Sequence, residues 1–220
     1  MGENWLVIDT AGRAGRVGLV RGVAVSAAAL DAARRHARDL TRAISGLLAD
    51  AALRPADLTG VVVSIGPGSY TGLRVGIMAA KALAYATGCA LVPVPTFLAI
   101  AARAPAEATN LWVIADALQG QVYLQRFRAG VPVDPLQIVT AAEALPSAPA
   151  DAWFTGPGVA ALATLLGDRR LVAEADREPT VESLYAASRG IAPATRAELF
   201  ALEPLYLRGS SAEEAARKRG

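Results

Sequence analysis

The sequence predicts an α/β protein of two lobes built to one plan, and three observations carry that prediction. A β-branched run, Val61 to Ile65, delivers the chain into Gly66-Pro67-Gly68-Ser69-Tyr70-Thr71-Gly72, and a helix-length segment from Leu73 to Thr87 follows, closed by Gly88. The apolar run Trp5-Leu6-Val7-Ile8-Asp9 is mirrored by Leu111-Trp112-Val113-Ile114-Ala115-Asp116, each ending in aspartate. Trp153-Phe154-Thr155 leads into Gly156-Pro157-Gly158 as Val61 to Ile65 leads into Gly66-Pro67-Gly68. Duplication is the economical explanation of such a repeat.

The elements follow in order. Trp5 to Asp9 reads as a buried strand, and Gly12 and Gly15 punctuate the turn after it. Val17 to Val20 and Val23 to Ala28, joined by Arg21-Gly22, read as a hairpin. A first helix is predicted from about Leu30 to Ala51 with Asp31 as its cap, because Leu30, Ala33, Ala37, Leu40, Ile44, Leu47 and Ala51 form one apolar stripe. Pro55-Ala56-Asp57 breaks the chain before the central strand. Beyond the second helix come a strand at Leu91 to Val94 and a third helix, capped by Thr96 and ending near Ala104-Pro105. The order β-β-β-α-β-α-β-α is a meander followed by right-handed crossovers.

The second half reads alike. Gln121 to Arg128 and Leu136 to Val139 are strands, Thr140 caps a short helix to Leu145, and helices near Val159 to Leu166 and Val181 to Ser188 flank a strand at Leu171-Val172. The expected division is residues 1–105, residues 106–209 and a frayed polar tail at 210–220. Two ribonuclease H-like halves facing across a cleft are the plan of the actin, sugar kinase and Hsp70 superfamily.

Composition narrows the function. The chain has 220 residues and a net charge of +2, so no broad nucleic-acid field follows and any RNA contact is local or shared with a partner. No apolar run reaches the roughly 18 residues of a membrane span. Met1-Gly2-Glu3-Asn4 lacks a basic leader and cleavage site, and Cys89 is the single cysteine, so a reducing cytoplasm is expected. With one histidine, His36, set among Arg34, Arg35 and Arg38, no His-x-x-x-His ligand pair can be built, a histidine-based triad is not expected, and a peptidase is disfavoured.

Two stretches invite a site. A glycine turn entering a helix suits an anion, because free N–H groups and the positive end of the helix dipole converge there. Gly72 is followed by Leu73-Arg74, not the Lys-Ser/Thr pair of a Walker A loop, and a ligand-free turn is equally open. Ser69 and Thr71 have helix capping as their default work. Asp9 with Thr10, and Asp116, stand where the superfamily faces phosphate and metal, yet each can equally close a turn on its own backbone. Glu174 and Asp176 read as an exposed turn.

The second stretch is the second helix, which is apolar nearly all round and must be covered on more than one face. The two crossovers put the first and second helices on one face of the sheet. By helical spacing Arg74, Met78, Lys81 and Tyr85 share its outward side, with Arg34, Arg38, Thr41 and Ser45 nearby on the first helix. That strip reads as a partner surface, the alternative being that Pro55 to Leu58 or the tail folds over it.

Ile8-Asp9-Thr10, Gly66 to Gly72 with Leu73-Arg74-Val75-Gly76, Pro93 to Thr96, Asp116-Ala117 with Gly120 and Val122-Tyr123, and Pro204-Leu205-Tyr206-Leu207-Arg208 together resemble the TsaB (YeaZ) family over nearly all of the chain. The resemblance implies a non-catalytic subunit of the bacterial machinery for threonylcarbamoyladenosine (t6A) in tRNA. It implies pairing with TsaD, which transfers the threonylcarbamoyl group to the adenosine just after the anticodon of tRNAs reading ANN codons. TsaE is the implied third component, with tRNA met through the complex. No metal or cofactor of its own is implied, and ATP or ADP is expected only at a composite interface. Self-pairing through the same strip is expected when the partner is absent. The rival reading is a nucleotide-dependent phosphotransferase using Asp9 and Asp116.

Overall fold

The computed structural model describes residues 2–30 and 36–207, and of residues 36–38 the backbone alone. The first half runs β1 (Asn4–Asp9), β2 (Arg16–Arg21), β3 (Ala24–Ala29), α1 (His36–Asp50), β4 (Gly60–Ser64), α2 (Tyr70–Thr87), β5 (Ala90–Val94) and α3 (Thr96–Ala101). The second runs β6 (Asn110–Asp116), β7 (Gln121–Arg128), β8 (Val131–Pro132), β9 (Gln137–Thr140), α4 (Ala141–Ala144), β10 (Trp153–Thr155), α5 (Ala163–Leu166) and β11 (Arg170–Leu171). Two more helices follow, α6 (Val181–Ser188) and α7 (Arg196–Ala201).

The duplication is visible in the sheets. The first has the order β3-β2-β1-β4-β5, antiparallel through the meander and parallel across β1-β4-β5. In the second, β9-β7-β6-β10-β11 repeats that order and those directions, with β8 as an extra short strand on β7. This two-sheet α/β arrangement is the predicted fold class.

Strand alternation sorts the first core into two layers. Leu6, Ile8, Val61 and Val63 face Leu40, Ile44 and Leu47 of α1 and Ile77, Ala80 and Ala84 of α2, so both crossover helices lie on one face. Val7, Val62 and Val92 face the other way, onto Ala99 of α3 and Val181 and Leu184 of α6. Packing therefore departs from chain order. The last helices follow the second sheet in sequence but cover the first: Val181 sits over Gly18, where a Cβ would meet it at 2.5 Å, and Leu199 and Leu202 join the α1–α2 core.

Several local readings are corrected. Leu30 is buried but not helical; its N–H donates to Gly15 O at 2.8 Å, and α1 is described from His36. The Asp31 cap and Arg34 lie outside the described residues. Thr96 does not cap α3: Pro95 holds that position, and the Thr96 hydroxyl accepts from Gly66 N at 3.1 Å. Helix is regular only over Ala163–Leu166 in the stretch predicted from Val159, because Gly158 is pinned on Ile114 O and successive turns precede it. Asp176 pairs with Arg103 at 2.6 Å, so the turn it occupies is tied to the end of α3. No helix among the described residues is long and apolar enough to cross a membrane.

Candidate functional site

The glycine loop and the end of β1 form one seam. Asp9 is 3% exposed, and its Oδ1 accepts from Ser64 Oγ at 2.7 Å and Ala11 N at 3.1 Å. Burial pushes its pKa up, while the Ser64 and Ala11 hydrogen bonds and the Arg16 charge pull the other way. Ser69 N donates to Ala11 O at 2.7 Å, Gly72 N to Ser69 Oγ at 3.2 Å and Leu73 N to Ser69 O at 2.8 Å. Three of the amides that could greet an anion are thus spent within the protein. The glycines make the seam fit: a Cβ would fall 2.5 Å from Ala11 O at Gly68, 2.1 Å from Thr10 O at Gly72, and 2.2 Å from Thr10 Oγ1 at Gly76. Gly66 adopts φ of +111° and is held by Thr96 from both sides, its own N–H donating to Oγ1 and its carbonyl accepting from Thr96 N.

Asp9, Thr10, Gly66, Gly68, Ser69 and Gly72 are thus brought together, as backbone packed on backbone. Thr71 is exposed in the first turn of α2. Asp116 ends β6 on the other sheet, exposed, with Oδ1 accepting from Leu118 N at 2.7 Å. Register explains the contrast between the two aspartates. Val63 pairs with Ile8, which sets the first glycine loop against the residues after Asp9. Thr155 pairs with Val113, which sets the second loop against Ile114, before Asp116, and leaves that carboxylate beyond the loop's cover.

The outward face of α2 offers more to a macromolecule. Met78 and Tyr85 are 61% and 63% exposed, and a groove of about 360 Å³ opens between α1 and α2, lined by Leu40, Thr41, Arg74, Val75, Met78 and Ala79. Ser45 is exposed further along α1; the side chain of Arg38 lies outside the described residues. On the flank away from α1 the chain's own segment 196–207 closes in. Lys81 Nζ donates to Phe200 O at 2.8 Å and Leu202 O at 3.2 Å, and Tyr85 meets Phe200 edge-on with centroids 5.7 Å apart. Leu205 N donates to Ile65 O, beside the glycine loop. Lys81 is therefore engaged by its own chain, whereas Met78 and the groove stay open.

Sequence reasoning did not find Tyr70, Phe200, Leu202 or Tyr206 at this face. The contact between Tyr206 and Arg74 spans 132 residues, and no local period announces a contact of that range. The apolar, aromatic run Pro204 to Arg208 was the one available signal.

Comparison with known proteins follows the same lines. A family model described as TsaD, tRNA N6-adenosine threonylcarbamoyltransferase, matches residues 30–135. An uncharacterized protein of Mycobacterium tuberculosis is 37% identical over 163 residues, covering 73% of this chain and 75% of that protein. The tRNA threonylcarbamoyladenosine biosynthesis protein TsaB of Bacillus subtilis is 33% identical over 129 residues, 57% of this chain and 56% of that one. Among solved structures, YeaZ from Pseudomonas aeruginosa superposes with a TM-score of 0.73 at 23% identity, covering 93% of this chain and all of that one, which is a likeness of fold.

Proposed function

This chain belongs to the TsaB (YeaZ) family, and we propose that it is a non-catalytic subunit of t6A synthesis that docks a TsaD-family protein through the α1–α2 face. In this reading the partner performs the transfer of the threonylcarbamoyl group onto tRNA adenosine. The chain contributes a rigid helical layer that holds the partner in its active arrangement, with TsaE joining the pair. Any ATP or ADP belongs to a composite interface. When alone, the chain pairs with itself through the same face.

The observation that carries the reading is the exposed Met78 beside an open groove, on a helix whose inner face, Leu73, Ile77, Ala80 and Ala84, is buried in the core. Soluble domains seldom leave such a strip uncovered without a partner to take it. The glycine seam supports a scaffold as well, since Asp9 is buried as the clamp of a turn and the loop is spent on the backbone of residues 10 and 11.

The test mixes the full chain with a TsaD-family protein from the same organism and measures association by calorimetry. Modified nucleosides are then quantified in a strain depleted of this chain and complemented by variants. Met78→Asp and Tyr85→Asp are each expected to weaken association roughly tenfold or more and to lower t6A. If both variants associate and complement normally, the proposed face is wrong.

A further inference from the structure

The same face holds a cation with no counter-ion among the described residues. Arg74 is exposed, yet its orientation is set from two sides. Nε donates to Tyr206 Oη at 2.8 Å, and the guanidinium carbon lies 4.3 Å from the Tyr70 ring centroid and 5.6 Å from that of Tyr206. The two rings stack with centroids 4.9 Å apart at 30°. The Tyr206 hydrogen bond is the chief influence raising the Arg74 pKa, and no carboxylate pairs with it among the described residues. Two tyrosines thus hold a charge that nothing in the described chain neutralises.

Its surroundings sharpen the point. Arg74 borders the apolar groove of Leu40, Val75, Met78 and Ala79. Covering that groove removes water, so a bare guanidinium at its rim calls for an opposite charge from whatever covers it. Among the described residues no α1 carboxylate pairs with Arg74: Asp39, the acidic residue of α1 nearest the groove in sequence, is half-buried with Oδ2 enclosed. With Nε spent on Tyr206 and Tyr70 a minor hydrogen-bonding neighbour, the terminal Nη edge is what Arg74 offers to a carboxylate.

Resting on the docking function proposed above, we infer that the partner presents an apolar side chain flanked by a carboxylate. The apolar group fills the groove at Met78, and the carboxylate pairs with the Nη edge of Arg74. Tyr206 is a positioning residue: it holds Arg74 in place, and through it segment 196–207 becomes part of the recognition surface.

The experiment uses the full chain and the TsaD-family protein, with association measured at low and high salt and thermal unfolding as the folding control. Arg74→Glu is expected to weaken association roughly tenfold or more, and Arg74→Lys to recover little of it. Tyr206→Phe keeps the ring stack but loses the hydrogen bond, and is expected to weaken association about two- to tenfold without shifting the melting temperature. Lysine substitutions at the partner's exposed carboxylates are expected to include one that weakens wild-type binding and restores binding to Arg74→Glu. If Arg74→Glu binds as tightly as wild type while Met78→Asp does not bind, the docking face stands and the carboxylate inference is overturned. If Met78→Asp binds normally, the docking reading falls and this inference falls with it.

Discussion

Replacing Gly72 by alanine sets two opposing effects against each other in one methyl group. In a helix, alanine is favoured over glycine by about 1 kcal/mol through backbone entropy and solvation. At Gly72 the added Cβ would stand 2.1 Å from Thr10 O, well inside any ordinary contact, and the obstacle is backbone rather than a side chain that can rotate away. The start of α2 would have to lift from the end of β1, disturbing the Ser69–Ala11 bond and the packing of Leu73, which is 1% exposed. Overpacking of this kind costs about 3 kcal/mol at the upper end of its usual range, so the net loss is about 2 kcal/mol. For a chain of this size that lowers the melting temperature by roughly 4–8 °C. Gly46→Ala in α1 is the matched control: nothing lies within 4 Å of the new methyl, and a gain of about 0.5–1 kcal/mol is expected. Urea and thermal denaturation followed by circular dichroism measure both variants. A Gly72→Ala protein as stable as wild type would refute the backbone seam.

Further outcomes follow from other contacts. The Asp9 pKa is raised by burial, so the native state binds its proton more tightly than the unfolded chain does. This group's contribution therefore makes stability fall as pH rises from the ordinary carboxylate value through the raised one. Asp9→Asn keeps an acceptor for Ser64 and Ala11, so its urea midpoint should match or exceed wild type at neutral pH and depend less on pH; magnesium-dependent nucleotide binding by the isolated chain that is lost in this folded variant would favour the phosphotransferase. Met78→Asp should leave the melting temperature within about 1 °C, because the side chain is exposed, and should weaken the partner complex roughly tenfold to a hundredfold, the value of one fully buried apolar side chain; calorimetry decides. Lys81→Met removes the donor to Phe200 O and Leu202 O, and hydrogen exchange should speed up across residues 196–207 before it does in β1 or β4.

Much of this molecule is legible along the chain because its signals are local. The β-branched run at Val61, the stop at Gly88 with φ of +73°, and the twin strand-to-glycine junctions each encode their conformation within a few residues. Aspartate closing a turn on its own backbone is equally local, and both Asp9 and Asp116 do it. Leu30 shows how such reasoning fails. It fits the apolar stripe of the first helix, yet it is buried by folding back onto Gly15, where a Cβ would lie 2.8 Å from its Cδ1. Burial satisfied the pattern without a helix.

By itself, then, the sequence determined an α/β chain with a repeated strand order, two glycine junctions and a family resemblance, since each rests on spacing that a folded or unfolded chain carries alike. Tertiary structure alone decided that α6 and α7 cover the first sheet, that Asp9 is enclosed while Asp116 is exposed, and that Tyr206 reaches Arg74. Those outcomes depend on strand register and on which apolar faces remain uncovered once both sheets have formed. Neither quantity exists until distant parts of the chain meet.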